Sequence, residues 1–477
     1  MNIQYIIKGL GIGVLVITIN ACVPELTNRE ANRTLPGKYP IDVADSVNSA
    51  KANWREYFHD PNLIALIDTA LHNNQELNIV LQEMEVARSE VRERKGEYLP
   101  SVGIGAEAGL DKVGRYTRNG ALEANNEIRP GKEFPEPFTE LEAGLYASWE
   151  VDIWRKLRNA KKAAFTRYLA TIEGRNFMVT NLIAEIATAY YELLALKSQL
   201  AIVQQNIKIQ SDVLEIVKLQ KQSARVTELA VKRFEAQVLA TRSLQYALQQ
   251  EIVETENEIN YLVGRYSGTI PGDPNAFEDI ILDSIRLGIP SQLLENRPDI
   301  RQAEFELAAA NLDINIARAD FYPSLGLKAG IGFQSFTPAY LVKTPQSLMY
   351  GLVGELSAPL VNRNAIKSRY YIANAKQAQA VYHYEQTVLK AYMEVVNQLA
   401  SISNLANSYY LKLQQVDALT EAVEISNILF KSARADYMEV LLTQREALES
   451  KFELIETKKE QLDAKVNIYR ALGGGWN

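Results

Sequence analysis

The sequence predicts a mainly α chain in which two copies of one unit each carry a very long helical hairpin and a pair of membrane-length β-strands. Three observations predict it. Helix-breaking residues vanish over long stretches, the chain resembles itself at a fixed shift, and four short segments alternate apolar and polar residues.

The first residues set the compartment. Lys8 precedes an apolar run from Gly9 to Ile19, followed by Asn20-Ala21-Cys22. The run is too short to span a bilayer as a helix and reads as a secretory signal. Ile19-Asn20-Ala21-Cys22 reads as a lipobox, with Cys22 as the acylated residue after removal of 1–21. An ordinary signal peptide with an incidental cysteine is the other reading. Val23 and Pro24 follow instead of an acidic residue, which favours sorting to the outer membrane. Cleavage removes one positive charge, Lys8, and leaves −8 before acylation.

The repeat comes next. Asn73–Gly109 matches Asn296–Gly332 at Asn73/Asn296, Glu83/Glu306, Ala87/Ala310, Pro100/Pro323, Ser101/Ser324 and Gly103/Gly326. Ser223-Ala224-Arg225 later answers Ser432-Ala433-Arg434. The domain order that follows is a signal peptide (1–21), an anchored N-terminal segment (22–53), a first repeat (54–264), a linker (265–292), a second repeat (293–472) and a tail (473–477).

Each repeat holds helices of unusual length. Val361 to Leu472 contains neither Gly nor Pro, and Arg155 to Val263 only Gly174. Average usage would place roughly 13 across about 110 residues. Val388, Val395, Ile402, Tyr409, Val416, Val423 and Phe430 recur every seventh residue, as do Ile186, Leu193, Leu200, Ile207 and Leu214. Such spacing lays one seam along each helix and favours coiled-coil packing. Reversals near Gln222–Thr227 and Ser432–Tyr437 would give two hairpins with arms of ~50–60 residues, or ~75–90 Å each.

The strands fall in hairpins at about 100–153 and 323–360. Val102, Ile104, Ala106, Ala108 and Leu110 alternate with Ser101, Gly103, Gly105, Glu107 and Gly109. Leu141 to Ile153 alternates with Glu140 to Asp152, and Leu325 to Phe333 with Ser324 to Gly332. In the fourth, Tyr350, Leu352, Leu356 and Leu360 oppose Gly351, Glu355 and Ser357. Runs of about ten residues suffice for a tilted strand to cross an outer membrane. A soluble half-buried sheet shows the same alternation for any one strand. In lipid every backbone group must be paired, so the sheet must close, and transmembrane barrels start at about eight strands. Four strands per chain therefore require a β-barrel shared between protomers. The loops at Asp111–Thr139 and Gln334–Ser347 would face outward.

Composition excludes other classes. A net charge of −7 without a basic stretch gives no support for nucleic-acid binding. One cysteine and the scattered His59, His72 and His383 form no metal-ligand pattern. No phosphate-cradling loop, nucleophile elbow or zinc helix occurs, so no catalysis and no cofactor beyond the lipid on Cys22 are expected. Asp299/Glu304 and Glu453/Glu456 read as helix-surface charges. A coiled-coil lipoprotein rod without a pore remains the alternative of a different class.

Trp54-Arg55-Glu56-Tyr57-Phe58-His59-Asp60-Pro61-Asn62-Leu63, Leu294-Glu295-Asn296-Arg297-Pro298-Asp299-Ile300-Arg301, Ala435-Asp436-Tyr437-Met438-Glu439-Val440-Leu441 and Tyr469-Arg470-Ala471-Leu472-Gly473-Gly474-Gly475-Trp476 together resemble the outer-membrane efflux factor (TolC-like) family, in its lipoprotein branch. The resemblance implies a homotrimer with a twelve-stranded barrel and a helical barrel through the periplasm. It implies a periplasmic adaptor and an inner-membrane pump, usually proton-driven and of the RND type, with this subunit as a gated passive conduit. It also implies a gate at the helical turns, with Glu439 at the position of the gating acid and Asp436 beside it. Without the resemblance, a lone Glu in a coiled coil reads as a solvated face. Ala230 fills the matching position of the first copy, and Leu442 replaces an acid. Ser223, Arg225, Ser432 and Arg434 mark the turns where an adaptor would touch. A type I protein-export channel is the alternative within this reading.

Overall fold

The computed structural model describes residues 23–40, 48–273, 277, 279–280, 286–359, 363–432 and 434–476. Residues 1–21, read from sequence as a signal peptide, Cys22 and Leu360 lie outside them. In chain order the main elements are α1 (Pro61–Asn73), α2 (Gln75–Tyr98), β1 (Ser101–Asp111), β2 (Phe138–Val151), α3 (Lys156–Gln222), α4 (Glu228–Leu262), α5 (Pro298–Ala319), β3 (Ser324–Ser335), β4 (Leu348–Ser357), α6 (Asn364–Lys431) and α7 (Tyr437–Ala471). Contacts divide the chain into two compact units. One holds Glu85–Leu169, Phe305–Tyr382 and the residues up to Glu30; the other holds Ala31–Met84, Ala170–Glu304 and His383–Asn477. Among the described residues no helix is long and apolar enough to cross a membrane.

The first unit is built on one antiparallel sheet of order β1-β2-β3-β4. The register carries the apolar rows straight across it: Ile104 faces Leu145, Leu145 faces Ile331, and Ile331 faces Tyr350. Side chains alternate along each strand, so Gly103, Tyr146, Gly330 and Gly351 form a row on the other face. β2 stops at Val151, two residues before the alternation in the sequence ends. Asp152 does not continue the polar face. It is buried and accepts hydrogen bonds from the N–H groups of Leu157 and Arg158 and from Arg158 Nε, each at 3.0 Å. An acid at the opening of α3 satisfies amides that have no helical partner, and this outweighs one more residue of strand. Beside it, Trp154 stacks on Tyr322 at 4.6 Å and donates Nε1–H to the Pro323 carbonyl at 2.7 Å. Val23 and Leu26 pack on Ile314, Phe321 and Tyr370.

The second unit is helical. α3 and α6 have 67 and 68 residues, and α4 and α7 have 35 each. Every residue of the two sevenfold seams is buried or half-buried. The hairpins are unequal, since each returning helix runs only about 52 Å. Each returning helix ends against the start of the helix leading to its own repeat's strands. Asn74 Nδ2 donates to the last carbonyl of α4, that of Leu262, at 2.9 Å. Gly264 (φ 72°) lies against the Asn73 carbonyl, and Gly473 (φ 92°) against that of Asn296. A Cβ at either place would meet that carbonyl, and the left-handed backbone disfavours other residues. Asn73 and Asn296 are matched positions of the repeat, so the internal likeness is a shared tertiary joint.

Candidate functional site

Three places bear on function: the sheet faces, the hairpin turns, and the joint where the sequence motifs meet. On the apolar face of the sheet, Ile104 is 86% and Tyr350 82% exposed, with Val102, Leu110, Leu352 and Leu356 also open. Water would disfavour such a face; hydrocarbon accepts it. The opposite face carries Glu107, Glu142, Glu150, Lys328 and Glu355. Lys328 pairs with Glu355 at 3.1 Å, and Tyr146 Oη donates to Glu142 at 2.5 Å. Among the described residues β1 and β4 each have a partner on one side only, so the sheet is open at both edges.

The reversals fall at 223–227 and 432–436, between the helices named above. At the first, the N–H of Ala224 donates to the Lys221 carbonyl and that of Arg225 to the Gln220 carbonyl, both at 2.9 Å. This is a Schellman closure with a left-handed residue, Ala224 (φ 55°), where glycine is usual. The second turn repeats the longer bond, from Arg434 N–H to the Leu429 carbonyl at 2.8 Å. Ala433 lies outside the described residues. Ser223 and Ser432 are exposed and turn their hydroxyls back onto helix carbonyls, of Leu219 at 3.3 Å and of Ile428 at 3.0 Å. The two turns lie together: Phe234 and Phe430 approach to 6.4 Å, and Arg233 Nη1 donates to Met438 Sδ at 2.9 Å.

A cavity of about 300 Å³ opens there, lined among others by Gln220, Arg225, Thr227, Lys431, Asp436 and Tyr437. Of the turn residues named from sequence, the structure brings Arg225 and Asp436 together at this cavity. Glu439 sits in the first turn of α7 and is exposed, as are Asp436 and Arg434. Among the described residues neither carboxylate carries a side-chain hydrogen bond. Ala230, the first-copy counterpart of Glu439, is fully buried. Glu439 lies where the dipole of α7 favours an acidic side chain.

The third place explains motifs that sequence reasoning quoted without a role. Tyr57 stacks on Tyr469 at 4.3 Å; Tyr57 Oη donates to the Lys465 carbonyl at 2.8 Å and Tyr469 Oη to that of Ala52 at 2.6 Å. Trp476 Nε1 donates to the Gly473 carbonyl at 3.0 Å. Arg297 is 5% exposed and forks onto Asp299 at 2.7 and 3.0 Å, onto Glu394 at 2.7 Å and onto the Ala471 carbonyl at 2.9 Å. One guanidinium thus ties α5, α6 and the end of α7, which the fixed fork of arginine suits better than lysine. Asp299 is therefore part of a buried ion pair, not the helix-surface charge expected. Glu304, Glu453 and Glu456 do lie at the surface, paired with Arg33, Lys412 and Lys459.

The family model described as outer membrane efflux protein matches residues 66–265 and 289–474. The chain is 29% identical over 423 residues to the pyoverdine export outer membrane protein OpmQ of Pseudomonas putida, covering 89% of this chain and 88% of that one. It is 28% identical over 448 residues to the cation efflux system protein CusC of Escherichia coli, covering 93% of each. Its fold is similar to the open state of the Neisseria gonorrhoeae MtrE outer membrane channel, with a TM-score of 0.82, 23% identity, and coverage of 96% and 99%. The matched residues hold all four strands of the sheet and both helical hairpins: the chain belongs to the outer membrane efflux protein family.

Proposed function

We propose that this chain is the channel subunit of a tripartite efflux pump, working as a homotrimer anchored by lipid on Cys22. The observation that carries the reading is the open four-stranded sheet with an exposed apolar face and a charged opposite face. Three copies would join their edges into a twelve-stranded barrel, with the apolar rows in lipid and the charged face around water. Further support comes from exposed apolar residues on α4 and α6, such as Leu239, Tyr246, Tyr410 and Leu411, which a second copy would cover.

The turns would meet a periplasmic adaptor, and an RND-type inner-membrane pump would supply energy. The subunit itself performs no catalysis and holds no cofactor. The similar proteins are named for pyoverdine, cations and solvents. One kind of conduit serving such different cargoes puts cargo choice in the pump.

Purified trimer in a planar bilayer tests the reading: discrete conductance steps are expected, and a silent, stable rod would overturn it. Three copies of Glu439 would form a carboxylate ring at the periplasmic end. Glu439→Ala then raises leak or conductance. Unchanged current at normal trimer yield removes Glu439 from the gate.

A further inference from the structure

The packing of the helical arms is interrupted at one level. Next to the turns, Leu214, Val217, Val231, Phe234, Val238, Phe430 and Val440 form one apolar cluster. Farther along, Val203 and Leu248 form another, with Ile207, Leu244 and Phe452 against it. Between the two clusters several buried positions are polar, beside the apolar Ala447 and Leu448: Gln210 on α3, Thr241 on α4, Gln444 and Ser450 on α7. They are 1%, 2%, 4% and 3% exposed. Thr241 Oγ1 donates to Gln210 Oε1 at 2.8 Å. Among the described residues, Gln210 Nε2, both amide atoms of Gln444 and the Ser450 hydroxyl have no hydrogen-bond partner.

Buried polar groups are normally satisfied, and each one that is not carries a desolvation penalty that an apolar side chain of similar volume would avoid. Four together, at the gap between two apolar clusters, weaken the arms at one level. Packed clusters resist continuous deformation, so bending concentrates where packing is poorest. Rearrangement there also offers the orphaned amides new partners, which lowers the cost of the moved state.

We propose that the Gln210–Thr241–Gln444–Ser450 layer is a flex point about which the turn-proximal ends of the arms swing as one piece when the channel opens. The proposal rests on the channel reading above. It places the moving boundary about eight to fourteen residues from each reversal, a distance of roughly 12–21 Å, and not at the turns themselves.

The test replaces the amides by methionine, Gln210→Met with Gln444→Met, in the full-length trimer. The double variant should unfold about 2–4 °C higher. Its spontaneous opening in a planar bilayer should change at least about threefold, because filling the layer with apolar atoms favours the arrangement of this structure over the other. Opening that is unchanged in a variant that trimerises normally overturns the proposal. If the variant fails to trimerise, hydrogen exchange of the wild-type protein decides. Amides of 208–213 and 442–450 should exchange faster than those of 195–203 and 452–460, and uniform protection overturns the flex point. A wild-type trimer that passes no current would instead defeat the channel reading, while the exchange pattern would still test the layer.

Discussion

Asp463, on α7, shows how one side chain couples stability to pH. Burial pushes its carboxyl up to about 7; Glu192, Glu456 and Glu460 add to this and Lys459 opposes it. Its Oδ1 is buried with no hydrogen-bond partner among the described residues. The folded protein therefore holds a proton that the unfolded chain releases near pH 4, so this group's contribution to stability falls as pH rises through the window from about 4 to 7. Asp463→Asn keeps the shape and removes the ionisation. Its melting temperature should match wild type at pH 4.5 and exceed it at pH 8, and equal values at both would refute the linkage. Nothing in the spacing of acids singles out Asp463, because its shift comes chiefly from burial, which only the folded chain supplies. Arg297 was legible as part of a motif. Its grip on Glu394 and Ala471 was not, since those partners are remote in sequence.

At the scale of the element, Ala224 closes the α3–α4 turn in a left-handed conformation that costs a residue with a Cβ about 1–2 kcal/mol. Glycine would relieve this and give back part of it through a freer unfolded chain, for a net gain of about 0.5–1 kcal/mol. Ala224→Gly should therefore raise hydrogen-exchange protection of the Ala224 and Arg225 amides by about threefold; lower protection would show that the alanine is unstrained. The reversals themselves could be read from sequence, because only a break in the sevenfold seam allows the helix to turn. The return arms have 35 residues, not the ~50–60 expected of each arm, because the reversals stand off-centre in runs that end at Gly264 and Gly473. The strands were placed within a residue or two by their alternation, except where Asp152 found helix amides to bind.

At the scale of the whole molecule, closure of the sheet between copies makes a sharp prediction. β1 and β4 are separated by two strands, so a row position on one lies about 14 Å from its counterpart on the other within a chain. No disulfide spans that distance. Single cysteines scanned along Ser101–Asp111, combined with single cysteines along Leu348–Ser357, can therefore be oxidised only between chains. A covalent trimer on a denaturing gel is expected for pairs that share a row, and oxidised monomer alone would disprove a shared barrel. Two repeats, membrane-length strands and coiled-coil arms were all visible in the sequence, because each follows from periodicity. The joint of Tyr57, Tyr469 and Arg297 was not, because its parts come from the two ends and the middle of the chain.

The matched lengths of the returning helices, 35 residues in each repeat, make the reach of this protein modular. Removing seven residues, or about 10.5 Å, from a single helix would throw its side chains out of step with those of the helices packed on it. The same excision from α3, α4, α6 and α7 together would preserve every layer. Such arms can therefore be shortened or lengthened in register only by whole heptads and in all four helices at once.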